Sequence, residues 1–351
     1  MLYYICYITL RLIYKMSIKA SSRSLLKLVS DNGKNVAIRI ATDLGISRQA
    51  ASARLRAAIN NGLIVKHGVG RGVSYALSEL SRVHKEFDRD GLSEDQVWQS
   101  LLAPIVKEFP ENVRDIWRYG FTEMVNNAID HSGSKKITVW CVRNALYTQV
   151  WVSDEGEGIF LKIQKALDLY DPRESILELA KGKFTTDPEN HSGEGIFFSS
   201  KVFDLFDIRS GSLHFMHEDG LDDILIERQK NASGTLVVMR LMNDSQRTTK
   251  EIFDKFAAPD EYTFAKTIVP VRLGQYEGEK LVSRSQAKRL IFRFEKFATV
   301  ILDFSGVEEI GQAFSDEVFR VFQNVHKDTK LVPVNMTSAV KDMVSRAKAR
   351  K

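Results

Sequence analysis

Four short polar segments between residues 123 and 235, each at the edge of an apolar run, constrain this chain more than any other feature. They are Glu123 to His131, Asp154 to Gly158, His191 to Gly195, and Gly234-Thr235. Glu123 and Asn127 lie four apart in an apolar-periodic stretch (Ile116, Phe121, Met124, Val125, Ala128), so on a helix they project from one face toward one ligand. The amide oxygen of Asn127 is a hard ligand suited to Mg²⁺, which takes few protein ligands and leaves positions for phosphate and water. Glu123 beside it can orient or deprotonate an attacking water or hydroxyl. Taken alone, the pair also reads as ordinary solvated helix surface. Asp154 closes the apolar strand Gln149 to Ser153, and Gly156 and Gly158 give the backbone freedom of a tight loop around a ligand; by itself this segment also reads as a plain turn. Gly193 and Gly195 precede a helix-like Ile196 to Phe203, where exposed amides and the positive helix end can hold phosphate oxygens. Thr235 opens a further strand running to Leu241.

In this order and spacing the segments resemble the nucleotide pocket of the GHKL superfamily, the ATPases of gyrase, heat-shock chaperones, histidine kinases and mismatch repair. The resemblance implies ATP and Mg²⁺ as cofactors. In the family the aspartate matching Asp154 accepts a hydrogen bond from the adenine amino group, and the threonine matching Thr235 helps close the adenine site. The implied set is Glu123 as the catalytic carboxylate, Asn127 at the metal, and Asp130, Gly156, Gly158, Gly193 and Gly195 around the nucleotide. Between the second and third segments lie roughly 35 residues, a length at which loops act as lids or carry a helix of their own. They are read as the ATP lid. Its end, Lys183 to Glu189, resembles the lids of histidine kinases and anti-sigma-factor serine kinases, which adds Lys183 and Thr185 to the nucleotide set. Asp187 departs from the lysine those families often carry, and this counts against a direct phosphate contact there.

A chain of 351 residues with 44% hydrophobic content has the length for two or three domains with sizeable cores. The two cysteines, Cys6 and Cys141, lie far apart in sequence and imply neither a disulfide framework nor a cysteine-based zinc site, which fits a reducing cytoplasm. The net charge of +5 hides an asymmetry: residues 1–82 hold 13 Lys and Arg against 3 Asp and Glu, a net +10, and the remainder carries −5. A basic partner surface is therefore expected only in the N-terminal part. Met1 to Lys15 is apolar apart from Arg11 and Lys15, yet too short for a membrane span and without a charged region ahead of the apolar run. It reads as a dimerisation element, or as a segment ahead of translation starting at Met16; a membrane-associated segment is the minor alternative.

From Ser22 the pattern is that of a small helical unit. Leu25, Leu26, Leu28 and Val29 mark a first helix, Val36 to Leu44 a second, and Gly45 a tight turn before Ser47 caps a third helix to about Asn60. On the third helix Ala51, Leu55, Ala58 and Ile59 share one side and Gln49, Ser52, Ala53, Arg56 and Asn60 the other. Leu63 to His67 and Val73 to Leu77 then read as two strands around the glycine-punctuated tip Gly68 to Gly72. The whole resembles a winged helix-turn-helix. That implies DNA as partner, with Gln49, Ser52 and Arg56 on the recognition helix, Arg48 near phosphate, and Lys66, His67 and Arg71 on the wing. A winged helix used for protein contact is the alternative.

Residues 78–120 read as a helical connector, with a capping box at Ser93 to Gln96 and a buried side at Val97, Leu101, Leu102, Ile105 and Val106. His84 is followed by Lys85-Glu86-Phe87, which does not fit a histidine-kinase phosphoacceptor. Beyond a polar stretch from Asn243 to Lys250, strands at Thr267 to Arg272, Thr299 to Asp303 and Lys330 to Val334 alternate with helical stretches, the pattern of a small α/β domain. Leu302 to Val307 resembles the STAS domain of anti-anti-sigma factors, and the region looks like the STAS-like domains of unknown function attached to GHKL ATPases. The phosphoacceptor of that family aligns near Gln312-Ala313, neither of which accepts a phosphoryl group. Ser305 reads as a turn cap and Ser315 as internal to a helix.

The fold class expected is multidomain α+β: an apolar extension (1–20), a winged helix (21–80), a helical connector (81–112), a GHKL α/β sandwich (113–245) and a STAS-like α/β domain (255–351). The expected function is a cytoplasmic, ATP-binding and DNA-binding transcriptional regulator, a homodimer without a membrane anchor. The rivals are a protein serine kinase acting on a STAS-like or sigma-factor-related partner with Glu123 as base, and a DNA-remodelling ATPase. The absence of a recognisable transducer domain and the shortness of the lid weigh against the last.

Overall fold

The computed structural model describes residues 22–184, 193–221, 223–257, 264–276 and 279–350, so the apolar extension and Thr185 lie outside the described residues. The chain divides into two compact units. The first holds the described residues up to Val83 together with the short segments 141–149 and 242–244. Helices α1 (22–31), α2 (Val36–Asp43) and α3 (Arg48–Asn60) precede a hairpin of β1 (Ile64–His67) and β2 (Ser74–Leu77). Ala51, Leu55 and Ala58 recur every three or four residues on α3, so they share one face. That face is buried with Leu26 and Val29 of α1, Val36 and Ile40 of α2, Ile64 and Leu146. The turn between α2 and α3 needs a left-handed residue, supplied by Gly45 at φ +61°. Ser47 then starts α3 by accepting the Ala50 amide at 3.2 Å. The hairpin is antiparallel, Ile64 opposite Leu77 and His67 opposite Ser74.

Most of a five-stranded sheet in the order β3-β4-β5-β7-β6 belongs to the second unit. Its strands are β3 (Ser81–Asp88), β4 (Lys136–Arg143), β5 (Tyr147–Asp154), β6 (Leu205–Glu218) and β7 (Ile224–Met242). The edge strand β3 corrects the expectation of a wholly helical connector. In β3, Val83 and Phe87 are half-buried between exposed neighbours, and these β-branched and aromatic residues suit a pleated surface. Helices begin only at α4 (Glu94–Val97), which carries the complete Ser93–Gln96 capping box, and continue through a π-helical Trp98–Leu102 into α5 (Ala103–Val106). In β4 and β5 every second residue is buried (Ile137, Val139, Cys141; Val150, Val152, Asp154), as expected where one face is covered. Helices α6 (Glu111–His131), α7 (Ile159–Leu167), α8 (Glu174–Lys181), α9 (Gly195–Val202) and α10 (Thr249–Phe256) complete this part. Helix α6 buries Val113, Ile116, Trp117, Phe121, Met124 and Val125. It lies so close to the end of α9 that a Cβ at Gly120 would stand 2.3 Å from the Phe203 ring.

The C-terminal part of this unit is a three-stranded parallel sheet in the order β10-β9-β8, from β8 (Lys266–Pro270), β9 (Thr299–Asp303) and β10 (Lys330–Val334). Parallel neighbours need crossovers. These are α11 (Arg284–Ile291) between β8 and β9, then α12 (Gln312–Asp316), a π-helical Glu317–Phe322 and α13 (Gln323–Val325) between β9 and β10, with α14 (Ser338–Ala349) closing the layer. Val269, Val300 and Leu302 of the strands and Leu290, Phe314, Val318 and Val340 of the helices form its core. Among the described residues no helix is long and apolar enough to cross a membrane.

Candidate functional site

The second unit contains a cavity of about 260 Å³ to which α6, the end of β5, the turn before α7, the end of α8, the start of α9 and β7 all contribute. Glu123, Asn127, Asp154, Gly158, Gly193, Gly195 and Thr235 line it, with apolar walls from Met124, Val152, Ile163, Ile208 and Val237. Residues up to 114 positions apart in sequence are thus brought to one cavity.

Asp154 is fixed by its neighbours. Its side chain is buried, at 7% exposure, and Oδ1 accepts the Gly156 amide at 2.8 Å and the Thr235 amide at 3.3 Å. Burial raises its pKa, and the two amides pull the other way without cancelling that effect. The surrounding loops interlock. Thr235 Oγ1 accepts the Ile159 amide at 3.0 Å, and Ser210 Oγ donates to the Gly234 carbonyl at 2.9 Å. Gly234, at φ +72°, passes so near the Asp154 carbonyl that a Cβ would stand 2.0 Å from its oxygen. Gly156 lies outside the cavity lining; a Cβ there would meet the Ser132 carbonyl oxygen at 1.9 Å.

Glu123 and Asn127 also line the cavity, one helical turn apart on α6. The Glu123 carboxylate reaches the start of α9, where a Cβ on Gly195 would lie 2.0 Å from Oε2. Nearby Tyr119 is held protonated by its burial and by the Glu123 and Glu194 carboxylates. Burial likewise raises Glu194.

Two further residues expected at the nucleotide, Asp130 and Lys183, are placed elsewhere. Asp130 is exposed and does not line the cavity. Lys183, in left-handed backbone at φ +55°, turns its Nζ to the Lys296 carbonyl at 3.0 Å and over the Phe264 and Phe297 rings. It too is outside the lining, because those rings and that carbonyl offer its stem and ammonium a seat that local sequence does not disclose. Sequence reasoning missed Lys162, whose Nζ donates to the His131 carbonyl at 2.8 Å on the cavity wall, and also Leu179, Gly182 and Phe184. Lys162 follows Gly158 by one helical turn, a spacing the sequence analysis did not use.

Among the described residues no three His, Cys, Asp or Glu side chains cluster as a metal site. A Mg²⁺ shared with phosphates needs only one or two protein oxygens, and the Asn127 side chain on the cavity lining can offer one.

In the first unit Arg48, Gln49 and Arg56 are exposed on α3, and Ser52 is half-buried beside them. Lys66 and His67 are exposed on β1. The backbone of Arg71 lies in the hairpin tip, and its side chain is outside the described residues.

Residues 286–341 match the family model described as the STAS-like domain of unknown function DUF4325, a span from α11 through β9 and β10 into α14. No curated protein matches the chain. The chain is therefore a multidomain α+β protein with a C-terminal STAS-like α/β region, an arrangement consistent with a regulatory or interaction role.

Proposed function

We propose that the chain is a nucleotide-responsive DNA-binding regulator, in which a GHKL-type pocket binds Mg²⁺-ATP and a winged helix reads DNA. The observation that carries this reading is the buried Asp154. One of its oxygens is occupied by two backbone amides, in a cavity that Glu123, Asn127 and a glycine-initiated helix also line. A buried carboxylate oxygen in an apolar pocket suits an amino group of a flat heterocycle. The amides at Gly193 and Gly195 suit phosphate oxygens, Asn127 would hold the metal, which supplies charge neutralisation when bound, and Glu123 would orient or deprotonate the attacking group. The DNA reading is supported by the exposed Arg48, Gln49 and Arg56 on α3, by the hairpin beside it in sequence, and by the net +10 of residues 1–82.

ATP changes DNA affinity only by the difference in its own affinity for the DNA-competent and incompetent states. Calorimetry with Mg²⁺-ATP is expected to show binding by the wild type and a loss of about tenfold or more in Asp154→Asn, the scale of one hydrogen bond to a charged group. DNA affinity is expected to differ with and without Mg²⁺-ATP in the wild type and to be indifferent to it in Asn127→Ala. Equal DNA affinities in both conditions for the wild type would remove the regulatory reading. The second reading, a protein serine kinase acting on a separate STAS-like partner, is favoured by the Glu123 carboxylate on the cavity wall. It predicts a phosphorylated partner that Glu123→Ala fails to produce.

A further inference from the structure

Helix α8 has two different faces. Leu179, and Gly182 and Phe184 just beyond the helix, line the cavity. Glu178 and Lys181 point instead into the C-terminal α/β region, where both are fully enclosed at 1% and 0% exposure. Arg293, within the STAS-like span, is 6% exposed and holds this segment at three points. Its Nη1 donates to Glu178 Oε2 at 2.9 Å, its Nη2 donates to the Lys183 carbonyl, and its guanidinium lies 5.6 Å from the centre of the Phe184 ring. Lys181 Nζ donates to Glu178 Oε1 and to the Phe292 carbonyl, the latter at 2.8 Å, and Thr267 Oγ1 on β8 donates to the Lys181 carbonyl at 2.8 Å.

Two cations around one carboxylate make a costly burial that general packing does not require, since apolar residues of similar volume fill such space at least as well. Arg293 is also left-handed, at φ +63°, a conformation that a long side chain adopts only where the surroundings impose it. Its contacts Glu178 and Lys183 flank the lining residues Leu179 and Gly182, and its third contact, Phe184, itself lines the cavity, so its position and the position of the cavity wall are tied.

We infer that Arg293 is a positioning residue for the ligand cavity, supplied by the STAS-like region. Ligand affinity then depends on how that region is seated, and ligand binding reports back to it with the same coupling. This rests on the proposed nucleotide reading of the cavity and adds its means of control.

The test uses the full chain, Mg²⁺-ATP as the probe, and two readouts. Calorimetry on Arg293→Met and Arg293→Lys is expected to show affinity reduced about tenfold in Arg293→Met, within the usual range of couplings, and less in Arg293→Lys, which keeps one donor. Hydrogen exchange on the wild type is expected to show added protection at residues 291–297 when Mg²⁺-ATP binds, a readout that does not depend on a variant folding. A purely structural role would lower the thermal midpoint of Arg293→Met and leave both readouts unchanged. Wild-type affinity in a folded Arg293→Met, or unchanged exchange at 291–297, overturns the inference alone. Failure of the wild type itself to bind Mg²⁺-ATP overturns the nucleotide reading and this inference together.

Discussion

Asp303 gathers three donors on one carboxylate oxygen: the Ser305 amide at 2.9 Å, the Ser305 hydroxyl at 2.8 Å and the Asn335 amide at 2.9 Å. Burial by itself would raise its pKa; the Asn335 and Ser305 donors outweigh that and hold the carboxyl below the usual range. A folded pKa below the unfolded value of about 3.9 contributes stability that is present above that value and lost as the pH falls through the depressed one. Calorimetric unfolding between about pH 5 and pH 3 should therefore show a smaller fall in midpoint for Asp303→Asn than for the wild type, and equal falls would reject this account. The Ser305 turn was legible from Leu302 to Val307 because its partners are two residues apart. The same holds for Asp154 and Gly156. Arg293 was not legible, because its partners Glu178 and Lys183 lie more than a hundred residues away and neither carries a local signal of burial. Lys183 likewise reads as a phosphate ligand until Phe264, Phe297 and the Lys296 carbonyl are in view.

Among elements, α6 shows how far periodicity carries. The apolar positions Ile116, Phe121, Met124, Val125 and Ala128 mark a helix in the sequence and all are buried in the structure. The spacing of Glu123 and Asn127 places both on the cavity. What periodicity does not disclose is the reason for Gly120, which lets Phe203 pack against the α6 backbone with its ring 4.9 Å from that of Trp117. Gly120→Ala ought to gain helix propensity yet lose more through overpacking, for a net loss of about 1–3 kcal/mol. Denaturant unfolding monitored by tryptophan fluorescence would read this, and a stabilised variant would contradict the packing described. Strand β3 escaped the sequence reading for a different reason: with Val83 and Phe87 separated by polar residues, its pattern is too sparse to fix a period of two. The two π-helical turns, Trp98–Leu102 and Glu317–Phe322, likewise leave no mark in an apolar pattern that is continuous across them.

At the scale of the whole molecule, the charge is divided as the proposed functions are, with +10 in residues 1–82 and −5 in the rest. If the basic part meets the phosphate backbone, the logarithm of DNA affinity should fall linearly with the logarithm of salt concentration. Arg48→Ala should flatten that slope by about one while weakening all sequences alike, whereas Gln49→Ala should relax sequence preference at similar slope. Anisotropy titrations at several salt concentrations distinguish the two, and an unchanged slope in Arg48→Ala would exclude its phosphate role. The seating of α8 bears on the order in which the molecule is made. Synthesis proceeds from the N terminus, so Glu178 and Lys181 leave the ribosome long before Thr267, Phe292 and Arg293 exist to cover them. During that interval both side chains are solvated and one wall of the cavity has no backing. Every polar segment around the cavity is already in the nascent chain, yet the cavity takes its final form only when the last quarter of the protein arrives. A prematurely terminated product would carry the whole motif without the finished site.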